Sequence, residues 1–154
     1  MEKKKVQQKF NLPVTAAVHD FRRRAYGYDI TRIAEEAIVE HLRSFEAQQV
    51  EIHMPRGGKL IKPAGEHFPA RLDDRHPGRP TEEETRPTSP DGRELMSFYL
   101  PLPIHERMKN VIFWTRQRQT YFIEDAVRAF LGMPPAPKSL LELQAEEAKV
   151  KDQD

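Results

Sequence analysis

The feature that most limits what this chain can fold into is a strand-helix-turn-helix pattern compressed into residues 7–42. Residues 7–12 alternate, with Phe10 and Leu12 on one side and Gln7, Lys9 and Asn11 on the other. Period-two alternation marks a half-buried strand. Pro13 ends the run and suits a first helical turn, where its missing amide costs nothing. Val14, Val18, Phe21 and Ala25 then recur at helical spacing. Gly27 interrupts, and Asp29 stands where an N-cap would open a second helix, with Ile33, Ala34, Ala37, Ile38, His41 and Leu42 on one stripe. Below roughly 40 residues a unit cannot bury enough apolar surface alone and needs a metal, disulfides or association. The chain has no cysteine and no paired-histidine ligand spacing. Association is left, and the open edge of a lone strand favours pairing with another strand.

The second half supplies a partner. Phe98-Tyr99-Leu100-Pro101 parallels Phe10-Asn11-Leu12-Pro13 at an offset of 88, and residues 123–127 parallel 34–38 at an offset of 89. One residue would then be gained between the helices. Ile104, Met108, Val111 and Ile112 keep helical spacing, and Phe122, Ala126, Val127, Phe130 and Leu131 form the stripe of the last helix. Met96, Phe98 and Leu100 would point inward, and Leu95, Ser97 and Tyr99 outward. Identity between the copies is low, so the repeat rests on pattern, and two unrelated helical hairpins are the alternative. The turn glycine is missing from the second copy, where residues 116–119 replace it.

A short strand ending in Leu-Pro, a helix, a Gly turn and a helix running Asp29-Ile30-Thr31-Arg32-Ile33-Ala34-Glu35-Glu36-Ala37-Ile38 resemble the ribbon-helix-helix (MetJ/Arc-type) family of DNA-binding proteins. The tandem arrangement is similar to the TraY-type conjugation accessory proteins. The resemblance covers residues 5–46 and 94–132. It implies a mainly α fold with a short two-stranded antiparallel β-ribbon: a tandem ribbon-helix-helix in which the halves pair as an intramolecular pseudo-dimer. Pairing between chains, giving a homodimer, stays open. It further implies double-stranded DNA as partner, read through the ribbon, with the start of each second helix clamping the phosphate backbone. Family members often carry Ser at the cap where Asp29 stands. Asp caps well but adds negative charge beside a phosphate.

Candidate contacts follow. A two-stranded ribbon fits the major groove, Gln and Asn match adenine, and Lys matches guanine. Gln7, Lys9 and Asn11, with Ser97 and Tyr99 on the second ribbon strand, are therefore the candidate base readers, on a surface asymmetric enough to prefer a non-palindromic site. The same residues would also suit an ordinary solvent-facing strand. Lys4 and Lys5, in a cluster ahead of the strand, are candidate phosphate contacts. So are Thr31 and Arg32, and Arg118 and Thr120, at the two helix starts, because exposed amides there attract anions. Arg22, Arg23 and Arg24 cannot share one helix face and suit a solvated surface equally well.

Residues 47–93 read as a Pro/Gly-rich linker with a short strand near residues 50–54, a block of three Glu at 82–84, and a partial minor-groove hook at Gly78-Arg79-Pro80. Residues 133–154 read as a tail with a short helix opened by Ser139 and Glu142. Linker or tail could meet a protein partner. The net charge of +1 excludes strong charge-driven non-specific DNA binding, since that scales with phosphates neutralised, while leaving room for a local basic patch. No run approaches a membrane span and the N-terminus lacks a signal-peptide core, so a cytoplasmic protein is expected. No nucleophile–base pattern, metal motif or phosphate loop appears; neither enzymatic activity nor a cofactor is expected. The rival to DNA reading is a protein-interaction scaffold that uses the same fold for dimerisation.

Overall fold

The structure is a computed structural model and describes residues 2–54, 57–72, 92–115 and 117–134. In chain order the elements are β1 (Lys3–Asn11), α1 (Leu12–Arg24), α2 (Ile30–Glu46), β2 (Val50–His53), β3 (Lys59–Lys62), β4 (Arg93–Pro101), α3 (Leu102–Thr115) and α4 (Gln119–Phe130). The first and fourth strands pair antiparallel within the chain, with Gln7 opposite Ser97 at the centre; the second and third form a separate two-stranded sheet. Among the described residues the architecture is mixed α/β, with four helices and two small sheets, where one ribbon was expected.

The first strand begins at Lys3, so the lysines expected ahead of it lie within it. It stops at Asn11, and Leu12 opens α1 with Pro13 in the first turn. Strands β1 and β4 carry the same sequence of exposed and buried positions, and each is followed by a helix starting Leu-Pro. The matching positions therefore lie 90 apart, not 88. Leu-Pro occurs twice in succession at residues 100–103, and side-chain alternation selects the second pair as the helix start. Leu100 stays in the strand as the inward residue opposite Lys4. Because α2 and α4 begin 89 positions apart, the second inter-helix turn has lost a residue where one was expected to be gained. The first turn uses Gly27 at φ +85°, a left-handed conformation that a Cβ disfavours. The second does without such a glycine, closing instead with the Gln117 amide on the Ile112 carbonyl at 3.2 Å.

The ends of the ribbon are closed by the same bond made twice. The Leu12 amide donates to the Gly92 carbonyl and the Leu102 amide to the Glu2 carbonyl, both at 3.1 Å. Each satisfies a helix-start amide that has no partner in its own helix.

One hydrophobic core takes residues from both halves. Val14, Val18, Ile33, Ala34, Ala37, Ile38 and Leu42 meet Phe98, Leu100, Met108, Val111, Phe122, Ile123, Ala126 and Val127, all buried. Small residues at 34, 37 and 126 allow α2 and α4 to approach closely. Rings cross between halves as well: Phe21 against Phe130 at 5.5 Å, and His41 against Phe122 at 4.7 Å, both edge-on. A single cluster of buried residues thus draws on both parts of the chain.

The described residues between 47 and 72, expected as linker with a short strand near residues 50–54, are folded, and that strand is β2. A turn containing Gly57 and Gly58, both at positive φ, joins β2 to β3, and Gly-Gly between apolar runs is a hairpin signal as much as a linker signal. Ile52 and Phe68 are buried. Lys62, only 2% exposed, donates to the carbonyls of Glu46 (2.8 Å), Pro63 (2.8 Å) and Glu66 (3.0 Å). The Glu46 carboxylate at the end of α2 receives Arg107 from α3 and meets His67. Burial pushes that carboxyl's pKa up, but the Arg107 and His67 contacts outweigh it and hold the group below its ordinary value. The Trp114 indole donates to the Pro69 carbonyl at 2.8 Å, and the Arg71 amide to Asn110 Oδ1 at 3.1 Å. The insert thus pins the C-terminal end of α2 to α3. Replacing Lys62 with Met keeps the stem and removes all three bonds. The Gly65 amide still serves the Glu46 carbonyl and the Glu66 amide the Pro63 carbonyl, so the Glu66 carbonyl is the one left without its donor. A loss of about 2 kcal/mol is expected from that acceptor, read as faster hydrogen exchange in the hairpin. The acidic block, the partial hook and the tail helix lie outside the described residues.

Candidate nucleic-acid interface

The ribbon has one face on the core and one on solvent. Val6, Gln8 and Phe10 of β1 and Met96, Phe98 and Leu100 of β4 are buried. The opposite face presents Lys3, Lys5, Gln7 and Lys9 beside Arg93, Leu95, Ser97 and Tyr99, all exposed. Across the strands Lys5 stands opposite Tyr99, Gln7 opposite Ser97 and Lys9 opposite Leu95. This outer face holds four cationic side chains and no carboxylate. Lys3, Lys5 and Lys9 have no ion pair with any described residue, so their charge is not neutralised locally. Gln7, Lys9, Ser97 and Tyr99 thus come together as expected.

Two expected positions are corrected. Asn11 is 8% exposed: its amide donates to Glu124 Oε1 at 3.1 Å and its side-chain oxygen accepts from Arg93 Nε at 3.3 Å. By register it stands opposite Arg93 on the same side of the ribbon, but it is covered there at the ribbon's end and its side-chain oxygen is taken by Arg93, so it is not offered to a ligand. Glu124 needs that amide, being itself buried. At the matching position of the other strand stands Pro101, which has no amide to give, and the matching Glu35 is only partly buried. Lys4 is exposed but points to the helix side, since strand alternation sets it with Val6 and Gln8. It faces His105 on α3, whose pKa it helps to lower. Lys5 moves the other way, from flanking residue to the outer face. Lys3 and Leu95 join that face too. Extending the alternation two residues back from Lys5 would have found Lys3.

The starts of α2 and α4 flank the ribbon centre from opposite sides. On one side Thr31 Oγ1 accepts the Tyr99 amide at 3.3 Å, which leaves its hydroxyl proton to donate elsewhere. On the other, buried Gln8 donates to the Thr120 carbonyl at 3.2 Å. The two starts differ electrically. Asp29 caps α2, accepting the Arg32 amide at 2.8 Å. The Arg32 guanidinium lies 3.9 Å from the Tyr28 ring centre, with Nε 3.4 Å from Glu36, so it is occupied along its own helix. At α4 the cap is Arg118, with no side-chain cap bond and no acid in the first turn. Its exposed guanidinium touches only the Tyr121 ring, 5.7 Å away, among the described residues. A positive helix end beside an unpaired cation makes α4 the better phosphate seat of the two.

The interior behind the interface holds two histidines whose charged form is disfavoured. Burial lowers the His41 pKa, only partly opposed by Asp125; burial and then Lys109 lower that of His105. A base whose folded pKa is below its unfolded value binds more protons when unfolded, so stability rises with pH through that window. It should be complete above about pH 6.5, the ordinary imidazole value, and fall as the pH drops below. Urea midpoints at pH 7.5 and 5.5 check this. Changing His41 to Leu, and His105 to Thr as at matching position 15, should flatten the difference.

Among the described residues no helix is long and apolar enough to cross a membrane, and no group of His, Asp or Glu could hold a metal ion. Comparison with protein-family models, with curated proteins and with solved structures finds no match to this chain.

Proposed function

We propose that the chain is a tandem ribbon-helix-helix protein whose halves form a pseudo-dimer, and that it reads double-stranded DNA by laying the β1–β4 ribbon into the major groove. The observation that carries this reading is the outer ribbon face: basic and hydrogen-bonding side chains, no carboxylate, and a helix start on either side. Gln7, Lys5, Lys9, Ser97 and Tyr99 read bases; the amides of α4 with Arg118 and Thr120, and those of α2 with Thr31, hold the flanking phosphates. Arg32 joins them on leaving Glu36. The protein would act without catalysis, as an accessory factor of plasmid transfer or partition or as a repressor of transcription.

Selection of duplexes from a random pool, followed by fluorescence anisotropy on the winner, tests the proposal. The selected duplex should bind at least about a thousandfold more tightly than random sequence, and affinity should fall steeply with salt. Gln7→Ala should cost about 1–3 kcal/mol of discrimination at its base pair with an unchanged melting temperature. Failure to bind any duplex at low salt would replace this reading with the protein-interaction scaffold, for which exposed Leu95 and Tyr99 at the ribbon are the natural contact.

A further inference from the structure

Resting on that DNA reading, we infer that the ribbon is built for a duplex with purines along one strand and pyrimidines along the other. A major groove about 12 Å wide accepts two protein strands about 4.8 Å apart lying along it. Each protein strand then sits on its own side of the groove's midline, over the bases of one DNA strand. The chemistry of the two sides is divided. Lys5, Gln7 and Lys9 all belong to β1, and the best partners of both residue types are purine edges: guanine O6 and N7 for Lys, adenine N6 and N7 for Gln. Facing them across the ribbon, β4 offers Leu95, Ser97 and Tyr99, with Leu95 55% and Tyr99 46% exposed. Leu95 has no hydrogen-bonding group, and Ser97 and Tyr99 have one hydroxyl each, so none of the three can make the paired contact to a purine edge that Gln7 makes. With guanine under Lys5 and Lys9 and adenine under Gln7, the register sets cytosine under Tyr99 and Leu95 and thymine under Ser97.

Side chains on one strand face recur every ~6.8 Å, or two base-pair rises. Lys5 to Lys9 therefore covers about five base pairs, one β1 side chain to every second purine. The outermost cations do not blur the division. Lys3 lies at the far end, opposite Pro101, and Arg93 is held by Asn11 at the other end. A symmetric two-chain ribbon would put the same side chains over both DNA strands. Here the donors lie on one and the apolar groups on the other, so strand composition, more than palindromy, defines the site.

Two duplexes of equal base composition test this. One repeats GGAA along one strand, so that every second purine is alternately guanine and adenine, as Lys5, Gln7 and Lys9 require; the other repeats GGTT, which moves each adenine to the opposite strand. The intact protein should bind the first roughly tenfold or more tightly. The Gln7→Ala variant should lose that preference, because adenine is the base moved between the two duplexes. The Leu95→Ala/Tyr99→Ala variant should keep it. Equal affinity of the native chain for the two duplexes, or an undiminished preference in Gln7→Ala, overturns the inference while leaving DNA binding intact. Absence of binding to both at low salt overturns the DNA reading, and this inference with it.

Discussion

Reversing charge at two ribbon lysines together, Lys5→Glu with Lys9→Glu, is expected to reduce duplex affinity by more than about a hundredfold near 0.1 M salt while leaving the fold intact. The magnitude has two sources. Each lost base contact is worth about 1–3 kcal/mol, and each new carboxylate repels a groove lined by phosphates within about one Debye length. Stability should hold because both side chains are exposed on a strand face with no described partner; such substitutions usually stay within about 0.5 kcal/mol. The control is the same change in net charge at Arg43 and Lys59. Arg43 sits in the last turn of α2, twelve residues beyond Thr31, or about 18 Å along the helix at 1.5 Å per residue. If both double variants lose affinity alike, the effect is bulk charge and the ribbon is not the reader.

Phe98→Ala should be the most destabilising single change. Phe98 is wholly buried at the ribbon centre opposite Val6, in the cluster shared by both halves. Truncating a buried Phe costs about 3–5 kcal/mol, a large part of the 5–15 kcal/mol typical of a domain. The two halves should fail together, since neither has a separate interior. Trp114, the sole tryptophan, is packed through its indole on Pro69 and reports the second half and the insert; far-UV circular dichroism reports all helices. The two signals should give one coincident urea transition in the native chain and at lower urea in the variant. Separate transitions would show that each half holds itself together. Leu95→Ala, on the same strand but pointing outward, should move the midpoint little.

Much of the framework was legible because it depends on period. Alternation placed Met96, Phe98 and Leu100 inward and Ser97 and Tyr99 outward, and helical spacing found the stripes of α2 and α4. Position within the period was harder. Two consecutive Leu-Pro pairs gave two possible helix starts, and only the pairing of whole strands decides between them. Asn11 keeps the side that alternation gives it, opposite Arg93, but it is covered at the ribbon's end, where its side chain meets Arg93 and its amide meets Glu124, and alternation says nothing about cover. The folded insert was least visible. Its order depends on a lysine satisfied by three main-chain carbonyls and on a carboxylate shared with Arg107, 61 residues away. Contacts of that kind leave no local pattern, and proline and glycine around them resemble a tether.

Both strands of the ribbon belong to one polypeptide, and dilution cannot part them. A reader assembled from two chains dissolves when copies become scarce, and its occupancy then falls with the square of abundance. On the proposed DNA reading, occupancy here follows the first power, down to a single molecule. Each position of the ribbon is also encoded once, so an inherited change alters one edge of the surface and leaves its counterpart as it was.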